Sequence, residues 1–491
     1  MKKERASHVA GKFFVRLPQL SDRRNAVDMT FLWVLLFTAF SGLVAYVKVN
    51  YIYWYLLGIS QFKTNFLWGN LWHLKSYHHT EIIQKLYDTY KTTQVIAGTY
   101  IFAKPVAVVL NLNVMQCMLF EDREKFQHQT KWTDIPDQLS KILTARLLQA
   151  AKGSSHLAGA IEVKLRASRN FCINIKEIVN HFTLDLLGLA LLSVDYKSLT
   201  QSDSDFYQIF MEHIQKKPFS VKWQIFRNVY RRPFTNDFND IINLLIPRLI
   251  SIIERRQNLS LKPEDFLSIL LNERNGGFSS RPTKDIAKQV IHLLTSSFQA
   301  SVSIINCALY ELAKNKQKQI LLSQEIRKVM RCNNYQLSPD VLEELIYLKL
   351  VIKETQRLYP PLTFLQLEAL ADYAIPKTII TLDKGNIIYI PVQAVLHDPE
   401  IYAHSEQFQP ERFFSWFQQG KHSLSFLCDE NDPHNGIVSS SVQAIVSIAL
   451  IDLLTKYEFS LCDKSPKKIE FSKYNFIKFP TNDIYLNVKA L

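Results

Sequence analysis

Residues 351–361 read VIKETQRLYPP and place Glu354 and Arg357 three positions apart, on one face of a helix, where an ion pair can form. A Glu-x-x-Arg alone is common on exposed helices, so the pair gains meaning only from its neighbours downstream. Directly behind it stands LYPP, and then HDPEIYAHSEQFQPERF at 397–413, which adds a second cation, Arg412. Further on, FLCDENDPHNGIV at 426–438 holds two ligand-type groups, the thiol of Cys428 and the imidazole of His434. The six cysteines (Cys117, Cys172, Cys307, Cys332, Cys428, Cys462) form no CxxC pair, which argues against a zinc site. They are too sparse for a disulfide scaffold, and a reducing compartment suits them better.

The elements that must position these groups belong to one large folded unit. Within the 491 residues there is no low-complexity stretch, internal repeat or Pro/Gly/Ser-rich linker. Hydrophobic residues make up 47% and charged residues 21%, a balance that supports a sizeable core and excludes bulk disorder. The net charge of +13 invites an acidic partner or an anionic surface. No Lys/Arg run with interleaved aromatics accompanies it, so nucleic acid is not an expected partner. Periodicity predicts helices at 80–91 and 442–456, and others at 285–313 and 339–358 within a mostly helical middle spanning 113–358. Strand-like runs fall at 95–112, 377–381 and 386–392, before a β-rich tail ending in IYLNVKAL. The fold class expected is α+β, mostly helical.

Ahead of this unit, residues 29–47 form an uncharged run of 19 residues. At about 1.5 Å per residue, a helix of that length nearly spans a hydrocarbon core of about 30 Å. Tyr51, Tyr53, Trp54 and Tyr55 come next, ring types that favour the interface, and no small-residue cleavage site lies behind the run. A membrane anchor is therefore expected, with a basic extension at 1–28 before it and the main domain at 48–491.

The ordered set of LYPP behind the Glu-Arg pair and PERF after HDPEIY closely resembles the K-helix and PERF segments of cytochromes P450. ALYELAKNKQKQILLSQEI resembles the end of that family's central helix and the helix after it, and DYAIPKTIITLDKGNIIYIPVQAVLHDPEIY its β-rich segment. YEFSLCDKSPKKIEF and IYLNVKAL resemble the C-termini of insect microsomal members. The likeness covers roughly 50–491 and implies a P450 fold with an N-terminal transmembrane helix. It further implies haem as cofactor and insertion of one oxygen atom into a lipophilic small molecule of the insect-hormone or xenobiotic class. Electrons would come from NADPH through NADPH-cytochrome P450 reductase, whose acidic flavin domain the basic surface could dock. The location implied is the endoplasmic-reticulum (microsomal) membrane, with the main domain in the cytosol. By the same likeness Glu354, Arg357 and Arg412 form a buried network bracing the haem side of the fold.

Against that pattern, the residues expected to hold and use haem are changed. The family's loop reads roughly FxxFGxGPRxCxG, and 426–438 aligns to it without gaps. Phe426 and Pro433 are kept, but Gly436 stands at the cysteine that ligates iron, His434 at the arginine and Val438 at the last glycine. Thiolate donation is what favours O–O cleavage in this family, and glycine has no side chain to ligate with. Cys428, eight positions earlier, would need a rebuilt loop to substitute, whereas His434, an imidazole ligand type, lies two positions away. Ser296-Ser297-Phe298-Gln299-Ala300 stands for AGx(D/E)T, so Gln299 and Ala300 occupy the proton-relay positions without an acid or a hydroxyl. Ser301 and Ser303 offer the nearest hydroxyls. Of the propionate partners, an arginine becomes Leu367, another becomes His434, and WxxxR becomes Pro136 and Ser140, with Trp132 nearby.

Ligand, relay and propionate partners are altered while the bracing residues remain, whereas random decay would strike both. The expectation is a P450-fold protein with little or no monooxygenase activity that binds a lipophilic ligand or a membrane-bound partner. An active monooxygenase with unusual haem ligation and the remnant of a decaying gene are the alternatives. Orientation depends on the start. Lys2, Lys3, Arg5, Lys12, Arg16, Arg23 and Arg24 against Glu4, Asp22 and Asp28 would place the main domain in the lumen. A start at Met29 would leave Lys48 and Lys63 to hold it in the cytosol. We expect Met29 to be the native start; mass spectrometry of the mature N-terminus checks this, and peptides from 1–28 would contradict it.

Overall fold

In the computed structural model of the chain, the uncharged run lies inside one helix, Leu20–Tyr51. The structure describes residues 20–65, 69–70, 79–128, 137–153, 157–167, 171–199, 205–215, 239–257, 265–275, 282–414, 436–472 and 477–491. Two compact units divide the chain, Met1–Tyr53 and Trp54–Leu491. In the first, the membrane-length apolar stretch is not buried within the protein at all, and rings such as Phe31, Trp33 and Phe37 are exposed. Such a surface is stable in lipid and not in water. Two further helices among the described residues are long and apolar enough to span, but both are mostly buried inside the second unit and serve as core.

That second unit is mainly helical with segregated sheets. Its largest sheet has the order β1-β2-β8-β5-β3, with β1 at Ile96–Ile101, β2 at Lys104–Val109, β3 at Phe126–His128, β5 at Leu365–Ala369 and β8 at Ile387–Ile390. The continuous strand-like run at 95–112 is therefore a hairpin. Phe102 takes a left-handed φ of 55° and the chain reverses so that Ile101 pairs with Lys104. Every residue of β1 is buried, which explains its unbroken apolar character. Pro376 and left-handed Lys377 likewise turn the run at 377–381 into the bend of a two-stranded hairpin, β6 (Tyr373–Ala374) with β7 (Thr381–Leu382).

Helices match the periodicity closely, with one informative break. The central helix runs Thr283–Lys314 and is buried along nearly all its length after Ile286. It packs against helices Ile175–Leu192, Gly436–Lys456 and Asn239–Gln257, which makes it the axis of the core. The helix expected at 339–358 is split at Leu345 into Pro339–Glu344 and a bracing helix, Ile346–Leu358. The carboxylate of Glu325 accepts N–H bonds from Tyr347 (2.8 Å) and Leu348 (3.0 Å), satisfying the first turn of a new helix. The C-terminal helix begins at Gly436, earlier than the apolar run at 442.

A second sheet, β4-β10-β9, closes the C-terminus, with β4 at Cys172–Asn174, β9 at Tyr457–Leu461 and β10 at Tyr485–Ala490. Here two of the cysteines that are too sparse for a disulfide scaffold come together. Cys172 and Cys462 are joined as a disulfide, with Cα atoms 6.6 Å apart. Their separation of 290 residues hid the pair from any spacing argument, since only strand pairing brings them together.

The second unit opens with Trp54, fully buried, whose indole N–H donates to the Thr99 carbonyl at 3.0 Å. The ring lies against Gly98 in β1 so closely that a Cβ there would fall inside the indole. Gly98→Ala should destabilise the fold by about 1–3 kcal/mol, the usual cost of overpacking. Thermal unfolding of the purified variant checks this, with a clearly lower midpoint expected.

Candidate functional site

The bracing helix ends in the most thoroughly buried charge cluster of the described residues. Glu354 and Arg357 are both fully buried, and the guanidinium grips the carboxylate in a fork, Nε–Oε2 at 2.8 Å and Nη2–Oε1 at 3.0 Å. Arg412, from the short PERF turn Pro410–Phe413, reaches the same Oε1 at 3.1 Å. The Gln409 backbone N–H adds a further bond to Oε1 at 2.8 Å. Arg357 spends its other donors on the carbonyls of Leu396 (2.9 Å) and Gln407 (3.3 Å), and stacks over the Tyr402 ring. Arg412 also donates to the carbonyls of Ala403 and His404. Charges taken out of water are tolerable only when their hydrogen-bonding capacity is met in this way.

HDPEIY is held by the same region. His397 Nε2 bonds the Leu358 carbonyl at 3.0 Å. Asp398 accepts from Tyr87 (3.0 Å) on the helix His79–Tyr90 and from Lys91 Nζ (2.7 Å) just past its end. Burial, reinforced by Asp398, pushes the Tyr87 hydroxyl upward, so it stays a donor. At the other end of the bracing helix's reach, Tyr359 donates to Glu311 at 2.7 Å, tying the LYPP segment to the central helix.

Gln299 and Ala300 lie buried on the central helix, and neither has a titratable group. Two residues before Gln299, Ser297 Oγ hydrogen-bonds Ser441 Oγ at 2.7 Å, so the central helix and the helix beginning at Gly436 touch directly there. Ser301 and Ser303 are fully buried in the same helix. His292 Nδ1 meets Ser296 Oγ at 2.9 Å, and burial lowers the imidazole so that it stays neutral. Phe298 is fully buried, with Phe210 edge-on at 5.1 Å and Phe479 stacked at 6.2 Å. Phe206 and Tyr196 continue this row of rings. Beside Phe479, Lys478 is set among Cys307 and the Phe471 ring, and burial pulls its ammonium down to about 8. Neither the ring row nor Lys478 could be found from sequence, because each assembles residues far apart in the chain.

Comparison with known proteins settles the family. A family model described as cytochrome P450 matches residues 158–428, more than half of the chain. The chain belongs to the cytochrome P450 family. It is 26% identical over 470 residues to probable cytochrome P450 6a14 of Drosophila melanogaster, covering 85% of this chain and 91% of that protein. It is 25% identical over 494 residues to cytochrome P450 6A1 of Musca domestica, covering 91% and 95%. Cytochrome P450 6a2 of Drosophila melanogaster is 25% identical over 508 residues, covering 94% and 100%.

P450s normally carry haem; at the described positions that the resemblance assigns to haem contacts, the residues present offer no cation and no iron ligand. Leu367 is a fully buried hydrocarbon in the middle of β5, paired with His128 on one side and Ile388 on the other. It offers no charge to a carboxylate. Gly436 opens the C-terminal helix and has no atom to ligate with. Ser140 sits on the helix Asp137–Gly153 and offers a neutral hydroxyl in place of a guanidinium. Cys428, Pro433, His434, Trp132 and Pro136 lie outside the described residues. The P450 scaffold around Glu354 is intact by contrast. Glu354→Leu would leave Arg357 buried without its counter-charge and should cost about 3–5 kcal/mol. Thermal unfolding of the detergent-solubilised chain reads this directly, and an unchanged midpoint would rule out a bracing role.

Proposed function

We propose that this P450-fold protein has little or no monooxygenase activity and binds a lipophilic small molecule, of the hormone or xenobiotic class, at the endoplasmic-reticulum membrane. The observation that carries this reading is the contrast between two sets of residues. Glu354, Arg357 and Arg412 keep every bond a buried charge cluster requires, whereas Gly436, Leu367, Gln299 and Ala300 carry no ligand, cation, acid or hydroxyl. Haem chemistry needs a strong donor at the iron and a deliverable proton. A scaffold has need of neither. The rings of Phe298, Phe210 and Phe479 pack on one another beside the altered relay positions and make that region apolar core.

The test is spectroscopic. The purified chain should contain no stoichiometric haem, and its reduced form with carbon monoxide should lack the thiolate-type Soret band. That band appearing in the unmutated chain would refute the reading. Gly436→Cys should restore haem binding only in part, because Leu367 leaves a propionate without its cation. Full recovery with Gly436→Cys alone would show that ligand loss is the whole defect.

A further inference from the structure

We propose that Lys478 is a covalent capture site for lipophilic aldehydes, which its side-chain amine takes up as a Schiff base. The proposal rests on the lipophilic-ligand reading above for its ligand class and does not involve haem. Its warrant is the place of this lysine in the fold.

Lys478 belongs to a short run of chain clamped on both sides. Its backbone N–H donates to the Pro361 carbonyl at 2.9 Å, just past the bracing helix. Ile477 pairs with Leu362, and Pro480 pairs with Phe471. Ile477 and Phe479 are buried, whereas Lys478 between them keeps partial exposure. Its ammonium lies 5.3 Å from the centre of the Phe471 ring, which is itself 6.0 Å from the Tyr359 ring. A fixed backbone thus presents this amine to an aromatic, apolar surface.

The partners of other lysines show what Lys478 does without. Lys91 reaches Asp398 at 2.7 Å, Lys314 reaches Glu311 at 3.1 Å and Lys318 reaches Glu411 at 2.8 Å. Lys176, more deeply buried, donates to the carbonyls of Thr481 and Asn482. Among the described residues no carboxylate or carbonyl takes up the Lys478 ammonium; the groups around it are Phe471, the Cys307 thiol and a second cation, Lys468. Desolvation without a counter-charge favours the neutral amine, and such lysines are the ones that form Schiff bases with carbonyl compounds. With the amine pulled down to about 8 by burial, neutral pH leaves roughly two orders of magnitude more free base than on an ordinary lysine. Cys307 does not compete for the carbonyl, because burial pushes its thiol up and keeps it protonated.

The reaction needs no oxidant or reductant. The amine lone pair adds to the carbonyl carbon and one N–H proton passes to the oxygen, giving a carbinolamine. That oxygen then leaves as water with the second N–H proton, and a C=N bond replaces C=O. The hydrocarbon tail of the aldehyde is the part that the rings beside Lys478 would hold.

The test uses the detergent-solubilised full chain, decanal as the probe and cyanoborohydride to trap the imine as a decyl-amine, followed by peptide mass spectrometry. Lys478 should be alkylated at least about tenfold faster than Lys316, an exposed lysine on the helix Lys316–Cys332. Acetaldehyde, which lacks the tail, should show a smaller preference for Lys478. Lys478→Arg, which keeps the charge, should lose this fast phase and leave the labelling of Lys316 unchanged. Alkylation of Lys478 no faster than Lys316, or equal preference with acetaldehyde and decanal, overturns the proposal in the unmutated chain, whether or not the variant folds. Haem content is read on a separate sample, so a thiolate-type Soret band would sink the functional reading without altering this outcome.

Discussion

A carboxylate with no access to water governs this molecule. Glu354 is fully buried and carries a full charge's worth of hydrogen bonds from Arg357, Arg412 and the backbone of Gln409. Because one oxygen, Oε1, accepts from three separate segments, the end of the bracing helix, the approach to PERF and the PERF turn must arrive together. Arg357 then extends the constraint through the carbonyls of Leu396 and Gln407 to the segment between them. Each added bond offsets desolvation that the pair alone could not. Order in the 396–412 region is therefore a consequence of one buried charge, and the helix His79–Tyr90 and the central helix are tied to that region through Asp398 and Tyr359.

The parts of the fold that could be read from sequence are those with a local cause. Apolar period and length locate the central helix to within two residues at each end, and the uncharged run locates the membrane-length helix. The Glu354–Arg357 pair is visible because three residues make one helical turn; Arg412 joins it in sequence only through resemblance, since its approach is a tertiary event. What escaped was non-local. The break at Leu345 depends on a carboxylate from the preceding helix, Glu325. The reversal at Phe102 depends on a non-glycine residue accepting a left-handed φ, which carries no sequence signal. The Ser297–Ser441 contact, the Phe210–Phe298–Phe479 rings and the Cys172–Cys462 bond each join residues over a hundred positions apart, or nearly so.

These contacts give a physical meaning to the altered positions. Leu367 fills an interior strand site between β3 and β8, and hydrocarbon is what such a site accommodates without a partner. Ser297 and Ser441 satisfy each other, so the two helices carry their own polar complement where they meet. These positions are filled by ordinary core interactions, and the bonds to the Glu354 carboxylate come from Arg357, Arg412 and the Gln409 backbone.

We propose that this P450 scaffold holds itself together without haem. The most direct measurement is cooperative thermal unfolding of the haem-free full chain, monitored by near-ultraviolet circular dichroism with and without added hemin. A group that binds only the native state raises the midpoint in proportion to its saturation. The account predicts a sharp transition in the absence of hemin and the same midpoint in its presence. A chain that unfolds without cooperativity until hemin is supplied, or whose midpoint climbs with hemin concentration, would contradict it.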